Sequence, residues 1–385
     1  MISERLLSLV RCPACRAALR AEGTGLRCEV CGTRYQAHDD FVDLRPPVRF
    51  AEQTRYVDET LHADARHETV SPPLLSAAVR HRMLLKFLQP SPGDRVLDLG
   101  CGSGRVLVWN EPCGAYQAGI DASPFFAVEA CRRVDLALGD LRRLPFADGA
   151  FTKAYALDVM EHLSREALGQ MLDEACRVLE PGGRLFVYSH VRKNSRLALG
   201  LRAINAVARG LERASLVDLS QERLRKSDHV NPLADIPDLE RASGAAGFRV
   251  ARIRYYTPLL AGFVENIVMR IAERWMMRRA QRGPGVGRGC EEADRGVGAP
   301  GTPARLPRWG PRPRATELGG VQGTPPFKRS HAARAARAEA KARVARGGLT
   351  YSVLQALTWL LRLDVALWGR VRSGPFFALL VKERS

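Results

Sequence analysis

Three glycines follow a short apolar run near the middle of the N-terminal half of the chain. The run covers residues 95–99, and Gly100, Gly102 and Gly104 come directly after it in the text RVLDLGCGSG. Glycines at the end of a strand let the backbone approach a ligand closely, although they also fit a tight turn without a ligand. Their spacing differs from the G-x-G-x-x-G fingerprint of dinucleotide-binding sites. The turn therefore favours a nucleoside that has no pyrophosphate.

Acidic residues accompany this turn on three successive predicted strands. Asp98 lies inside the first strand, Asp121 ends the second, and Asp140 ends the third. A carboxylate inside the first strand would repel a pyrophosphate but would hold an ammonium group. A carboxylate at the end of the second can accept hydrogen bonds from both ribose hydroxyls. The set predicts a ligand with an amine, a ribose, an adenine and a cationic sulfur, which is S-adenosylmethionine.

Several motifs in the same region resemble those of class I S-adenosylmethionine-dependent methyltransferases of the broad type 11 group. They are VLDLGCGSG, GIDASP, LGDLRRLPFADGAFTKAYALDVMEHL and EACRVLEPGGRLFVYSH, and they span about residues 94–256. The resemblance implies that the glycine turn holds the methionine end of the cofactor, Asp121 the ribose, and Asp140 the adenine. The cofactor-binding residues that it implies are Asp98, Gly100, Cys101, Gly102, Gly104, Asp121, Ala122, Asp140, Leu141 and Leu157.

Methyl transfer from a sulfonium is an in-line displacement in which the donor already carries its leaving group. The protein must mainly align the two reactants and exclude water, so a general base is optional. His162 is the candidate base because imidazole titrates near neutrality, but it could equally cap or cover its helix. Asp158 is expected to orient the acceptor. His190, His229 and Glu161 lie on the same predicted rim and could line the acceptor pocket.

Four cysteines near the N-terminus form two C-x-x-C pairs. Cys12 and Cys15 are separated by twelve residues from Cys28 and Cys31. Two such knuckles supply four thiolates at tetrahedral geometry, which is the closed coordination of structural Zn²⁺. A redox dithiol and an accidental pair of pairs are the competing interpretations. The spacing predicts a zinc ribbon whose metal stabilises a module too small to fold on its own core.

A Trm112-like zinc ribbon ahead of a methyltransferase resembles the architecture of ribosomal RNA guanine methyltransferases, which use the ribbon to hold RNA. The basic residues interleaved in this ribbon are few. It could equally pack against the catalytic domain or hold a protein partner. The arginines concerned are Arg11, Arg16, Arg20, Arg27 and Arg34.

The alternation of apolar strands and amphipathic helices predicts an α/β fold. Its predicted elements include a lead-in helix from about residue 69 to residue 89, a helix over residues 124–133, and a strand RLFVYSH after the turn PGG. The alternation is typical of parallel βαβ units in a doubly wound, mostly parallel sheet, here of seven strands as in Rossmann-like methyltransferases. A small zinc ribbon precedes it, and a helical insertion precedes the last strand. The predicted units are a ribbon at 1–45, a helical lead-in at 46–93, a methyltransferase core at 94–257, an insertion at 258–374 with a disordered basic linker at 281–348, and a last strand at 375–385.

The insertion contains two predicted amphipathic helices, over residues 258–280 and 349–371. Their apolar faces could pack together as an ordinary lid over the cleft. Alternatively they could lie on a membrane surface and admit a lipid-like acceptor, since Arg and Trp flank the apolar runs. Between residues 281 and 348 there are 14 Lys and Arg against 5 Asp and Glu, which is half of the net charge of +18. This segment favours attraction to phosphate surfaces of either kind.

The compartment and the acceptor are less well defined by the sequence. The N-terminus lacks the apolar run of a secretory signal, and the cysteine pattern suits a reducing environment, so a cytoplasmic protein is expected, with peripheral membrane contact as an option. The leading interpretation is an active methyltransferase with a small-molecule or lipid-like acceptor. The alternatives are an RNA methyltransferase that uses the ribbon, and a non-catalytic binding scaffold.

Overall fold

The structure is a computed structural model of the 385-residue chain. It describes residues 2–38, 40–46, 70–192, 198–217, 219, 229–256, 258–272, 274 and 347–384. The predicted basic linker is outside the described residues up to position 346. Within the described ranges, no helix is long and apolar enough to cross a bilayer.

Two sets of elements make up the described chain. The helices are α1 (Glu4–Leu9), α2 (Leu75–Leu88), α3 (Arg105–Asn110), α4 (Val128–Cys131), α5 (Arg165–Val178), α6 (Ala198–Arg213), α7 (Ile236–Ala245), α8 (Pro258–Phe263) and α9 (Leu349–Trp368). The strands are β1 (Leu19–Glu22), β2 (Gly25–Cys28), β3 (Arg34–Gln36), β4 (Val42–Asp43), β5 (Arg95–Leu99), β6 (Tyr116–Asp121), β7 (Asp135–Leu138), β8 (Phe151–Leu157), β9 (Leu179–His190), β10 (Phe248–Tyr255) and β11 (Pro375–Lys382).

The main sheet has eight strands in the order β10-β11-β9-β8-β5-β6-β7-β4. All of its described neighbours pair in parallel except β11, which runs antiparallel between β9 and β10. This confirms the predicted mostly parallel α/β sheet and the closing strand. The eighth strand, β4, comes from the end of the N-terminal segment and was not predicted. Helices cover both faces, so the central strands are buried on both sides and form nearly continuous apolar runs.

Two layers of core flank the sheet. On one face, Leu97 and Leu185 pack with α5 residues such as Leu168 and with the N-terminal module. On the other, Val96 and Phe186 pack with α2, α3, α8 and α9. Capping side chains mark the start of three of the described helices, α1, α5 and α7. Ser164 accepts a hydrogen bond from the Ala167 N–H at 3.1 Å, which satisfies an otherwise unpaired donor at the start of α5.

Some predicted elements differ in length from the observed ones. The helix expected over residues 124–133 is only α4, one turn long, and the lead-in helix expected from about residue 69 begins at Leu75. The strand expected after the PGG turn begins earlier, at Leu179, and its pairing with β8 shifts register between Phe151 and Lys153. After α8 the chain continues as a π-helical turn over Val264–Val268.

The N-terminal module lies against the main sheet through backbone and side-chain contacts. Its strands β1, β2 and β3 form an antiparallel sheet, and β4 pairs in parallel with β7. The Arg11 N–H donates to the Pro145 carbonyl at 2.9 Å, and the Ser3 hydroxyl donates to Asp135 at 2.6 Å. Two segments of the module thus form hydrogen bonds with the loops and edge of the larger domain.

Candidate active site

The glycine turn after β5 has the backbone conformation that only glycine adopts easily. Gly100, Gly102 and Gly104 have φ values of 76°, 54° and 78°. A Cβ at Gly100 would lie 2.6 Å from Val159, and one at Gly104 would lie 2.8 Å from Ala130, whereas one at Gly102 would meet nothing within 4 Å. The outer two glycines are therefore required for packing. Gly102 borders open space, where a ligand could approach the backbone.

Asp98 is a buried carboxyl group at the C-terminal end of β5, with 3% of its surface exposed. Burial raises its pKa well above the usual value, the hydrogen bond from the Tyr155 hydroxyl opposes this, and the nearby Asp121 carboxyl adds to it. Asn110 in turn donates to Tyr155 at 3.3 Å, and His81 donates to Asn110 at 2.8 Å. A chain of buried polar groups thus connects α2 to Asp98. In the described part of the chain, no cation is among the groups that influence Asp98, so a ligand's ammonium group would stabilise its charged form.

Asp121 ends β6, which pairs with β5, and Asp140 follows β7, the next strand beyond β6. The Asp121 carboxylate accepts hydrogen bonds from the N–H groups of Gly102 at 2.8 Å and Ser123 at 2.9 Å. Burial raises its pKa in spite of these bonds. Asp140 pairs with Arg142 at 2.9 Å and also accepts from the Arg142 N–H. The three predicted acids therefore follow the C-terminal edges of β5, β6 and β7, which are adjacent parallel strands.

The remaining predicted cofactor residues lie on the same edge. Cys101 is buried, and its N–H and that of Gly100 donate to the Ile120 carbonyl, which ties the turn to β6. The Ala122 carbonyl accepts from Arg45 at 3.4 Å, and this arginine follows β4 in the N-terminal module. Leu141 and Leu157 are partly buried. The edge thus combines residues from the core domain with one from the module.

Asp158 follows β8 in an unusual conformation. Its φ of 57° is rare for a non-glycine residue and indicates local strain held in place by surrounding contacts. The contact is an ion pair with Arg80 of α2, whose guanidinium lies 5.2 Å from the centre of the Tyr188 ring. Burial acts to lower the pKa of Arg80, but the Asp158 charge raises it overall, so the guanidinium stays charged.

The sequence did not identify Arg80, Tyr155 or Tyr188 as site residues. Each had a visible signal. Arg80 is a charge inside the apolar stretch SAAVRHRMLL, and the two tyrosines stand in buried strands where a hydroxyl needs a partner. These signals do not indicate the partner of each residue, because the partner can be distant in sequence. Arg80 and Asp158, for example, are 78 positions apart.

Glu161, His162, His190 and His229 lie close together, as predicted for the rim. The His162 and His229 rings are 4.7 Å apart between centres, and His190 Nδ1 lies 3.4 Å from Glu161 Oε1. Burial acts to raise the pKa of Glu161, but the His190 contact lowers it below the usual value. Burial lowers the pKa of His229, and the charge of His162 acts in the same direction.

The four predicted zinc ligands also lie together. The sulfur atoms of Cys12, Cys15, Cys28 and Cys31 are all within 4.8 Å of one another, with Cys12–Cys31 at 3.6 Å and Cys15–Cys28 at 3.4 Å. Tetrahedral coordination with Zn–S bonds of about 2.3 Å places sulfurs about 3.8 Å apart. The Cys31 N–H also points to Cys28 Sγ at 3.4 Å. The cluster fits one tetrahedral metal ion.

The arginines of this module contact the protein itself. Arg16 pairs with Glu174 of α5 at 2.8 Å, and Arg11 donates to the carbonyls of Ser8 and Val10. The remaining three, Arg20, Arg27 and Arg34, surround Glu22. All five arginines of the ribbon therefore form contacts within the protein.

Comparison with known proteins identifies the region that contains the glycine turn. Residues 97–187 match the family model described as "Methyltransferase domain". Ubiquinone biosynthesis O-methyltransferase from Azorhizobium caulinodans is 30% identical over 175 residues, which cover 44% of this chain and 64% of that protein. Demethylmenaquinone methyltransferase from Mycolicibacterium vanbaalenii is 40% identical over 107 residues, covering 28% and 46%.

The structure of phosphoethanolamine N-methyltransferase 2 from Haemonchus contortus aligns with a TM-score of 0.46 at 14% identity, covering 95% of this chain and 71% of that one. The chain spans less than two thirds of the length of the two curated relatives above. Residues 97–187, which include the glycine turn, therefore belong to a methyltransferase domain.

Proposed function

We propose that this protein transfers the methyl group of S-adenosylmethionine to a small-molecule acceptor. The observation that carries the proposal is the arrangement of Asp98, Asp121 and Asp140 at the ends of three adjacent parallel strands around the glycine turn. Ligands of doubly wound sheets bind at this edge. The buried Asp98 carboxyl group and the open space beside Gly102 suit a cationic nucleoside without a phosphate group.

Each acid would hold a different part of the cofactor. Asp98 would accept from the ammonium group, which offsets the cost of its burial. Asp121 would accept from the ribose hydroxyls beside Gly102, with Ala122 next to it. Asp140 and Leu141 would flank the adenine, and Leu157 would lie near the sulfonium. When bound, the cofactor supplies an activated methyl group.

The residues around Asp158 would align the acceptor with that methyl group. Arg80 connects Asp158 to the Tyr188 ring through an ion pair and a cation–π contact. Holding the acceptor and the methyl group in an in-line geometry contributes about 7 to 11 kcal/mol in well-oriented systems. Asp158 would orient the acceptor, and His162 would contribute an imidazole nitrogen to the acceptor side of the site.

The exposed surface of α9 favours a lipid-like acceptor. Helix α9 exposes apolar side chains at helical spacing, and the segment before it is basic in sequence. An exposed apolar stripe beside positive charge suits an anionic lipid surface. Two relatives are named for quinone biosynthesis, which is consistent with a hydrophobic acceptor. The exposed residues are Leu349, Val353, Trp359, Leu360, Leu367 and Trp368.

The experiment that tests the function is methyl transfer from labelled donor to fractionated cell extract. We expect label in the small-molecule or lipid fraction, and none with Asp121→Ala at equal protein concentration. Label that follows RNA or protein instead would contradict the acceptor class. Absence of label in every fraction, with the wild-type protein folded and the cofactor bound, would contradict the activity.

We also propose that Cys12, Cys15, Cys28 and Cys31 hold one structural Zn²⁺. Four thiolates leave no open coordination position, so the metal would stabilise the module and take no part in methyl transfer. Elemental analysis should give about one zinc per chain, lost in Cys28→Ser and kept in the control Cys113→Ser, whose thiol lies outside the cluster. A metal-free wild-type chain that melts at the same temperature after zinc addition would contradict this role.

A further inference from the structure

A second group of metal-binding side chains lies on the acceptor side of the site. One carboxylate oxygen of Glu161 and one nitrogen each of His162 and His229 are all within 4.8 Å of one another. Glu161 is buried and both histidines are partly buried. With His190 beside them, three of the eight histidines of the chain gather around one carboxylate. Such a concentration exceeds what hydrogen bonding to a single carboxylate requires.

The backbone holds two of these ligands side by side. Glu161 and His162 are consecutive in the short helical turn Met160–His162. The N–H groups of Val230 and Asn231 donate to the Glu161 carbonyl at 2.8 and 2.9 Å, which fixes the segment that carries His229. Hydrogen bonds to the backbone of Glu161 therefore position the segment that contains His229.

The Glu161 carboxylate is itself oriented by outer contacts. The Ser189 hydroxyl donates to Oε2 at 2.8 Å, and His190 approaches Oε1 at 3.4 Å. Metal-binding carboxylates are characteristically held by such neighbours. The inner donors are Glu161, His162 and His229. Ser189 and His190, at the end of β9, form an outer set that contacts the Glu161 carboxylate.

We infer that Glu161, His162 and His229 bind one divalent transition-metal ion. Two imidazole nitrogens and one carboxylate oxygen suit Zn²⁺, Fe²⁺ or Co²⁺, whereas Mg²⁺ and Ca²⁺ prefer oxygen ligands. Metal–ligand bonds of about 2.0 to 2.2 Å require the donor atoms to approach somewhat closer than 4.8 Å, which rotation of the partly buried imidazoles allows. Three protein ligands leave open positions on the ion.

The role of this ion rests on the proposed function. An open position on the ion would bind an oxygen of the acceptor, so the inferred acceptor is a hydroxyl compound. The bound hydroxyl releases its proton to solvent because the metal lowers its pKa. The oxygen then forms a bond to the methyl carbon while the S–C bond breaks, and its electron pair stays on sulfur. In this arrangement His162 acts as a ligand and not as a base.

The test is a Co²⁺ titration of full-length protein that carries one zinc per chain, monitored by calorimetry and by visible absorption. We expect one additional metal per chain, with the weak absorption bands of nitrogen and oxygen ligation. His229→Asn should bind Co²⁺ at least about 100-fold more weakly, because loss of an outer contact alone costs up to that factor. His38→Asn, a partly buried histidine outside the cluster, should bind normally. Unchanged zinc content, melting temperature and cofactor affinity would show that both variants are folded.

Two results would overturn the inference. One is the absence of Co²⁺ binding beyond the cysteine cluster, and the other is equal Co²⁺ affinity in His229→Asn and wild type. The metal's role in methyl transfer is tested separately. If protein depleted of the second metal transfers methyl groups at an unchanged rate, the metal has no role in the reaction, although the metal-binding site would still stand. Co²⁺ binding without any methyl transfer would contradict the proposed function and support the metal site.

Discussion

At the scale of single residues, the glycine turn and its acids were predictable because their chemistry is local. A left-handed backbone after a strand calls for glycine, and an acid at a strand end is visible in the sequence. The left-handed conformation of Asp158 and its pairing with Arg80 were not predictable. They depend on a contact between α2 and the end of β8, and no local pattern indicates it.

The middle glycine allows strain to be separated from cofactor binding. Gly102 and Gly93 both have positive φ, and a Cβ added at either position would meet open space. An alanine at either position should cost about 1 to 2 kcal/mol in free energy of unfolding. Only Gly102→Ala should weaken S-adenosylmethionine binding, by about 10-fold or more, because its methyl group would occupy the ligand side. Calorimetry and thermal unfolding measure both effects, and equal affinity in the two variants would contradict the assignment.

The buried Asp98 predicts opposite changes in stability and binding. Its raised pKa means that the native state holds a proton that the unfolded state has lost, so stability falls as pH rises above the ordinary carboxyl pKa toward the raised one. Asp98→Asn should therefore raise the melting temperature of the free protein at neutral pH. Loss of a charged hydrogen bond should weaken cofactor binding about 10- to 100-fold.

Asp94 provides the matched control for this prediction. It pairs with Lys153 at 2.6 Å, and although burial opposes it, this contact lowers the Asp94 pKa. Asp94→Asn should therefore lower the melting temperature and leave cofactor affinity unchanged. A destabilised Asp98→Asn with normal affinity would show that the carboxyl group has only a structural role.

At the scale of elements, the sequence predicted which segments form strands better than it predicted where elements begin and end. The alternating apolar runs indicated the parallel strands, and the final apolar run indicated β11, which lies between β9 and β10. Helix α4 is shorter than predicted because apolar spacing alone does not fix where a helix starts. The strand β4 is two residues long, and it forms because the main sheet offers it an edge. Such pairing depends on tertiary contact and leaves no periodic pattern.

Helix α9 contains a buried acid that should make stability depend on pH. Asp364 is fully buried, and burial raises its pKa to about 7. Between about pH 4 and pH 7 the native state binds more protons than the unfolded state, so the free energy of unfolding falls as pH rises. Asp364→Asn should remove this loss, and its melting temperature should exceed that of wild type increasingly from about pH 5 to about pH 8. The exposed control Asp40→Asn should show no such trend, and parallel curves for all three proteins would contradict the prediction.

At the scale of the whole molecule, the N-terminal module and the core domain share one edge. Strand β4 extends the sheet, Arg45 reaches the Ala122 carbonyl, and Arg16 pairs with the buried Glu174. Glu174 also accepts from the Leu144 N–H and from Arg177. The predicted cysteine module is therefore connected to the cofactor edge through a network of contacts. The sequence indicated the module and the domain but left their contact as one of several alternatives.

The central claim is that this edge binds S-adenosylmethionine through its strand-end acids. Titration calorimetry of the full-length protein with S-adenosylmethionine tests it most directly, with Asp121→Ala as the variant. We expect one binding site per chain and an affinity about 100-fold weaker in Asp121→Ala, because two ribose hydroxyls lose a charged acceptor. Absence of binding heat in the wild-type protein, or equal affinity in the variant, would contradict the claim and leave the fold as a scaffold.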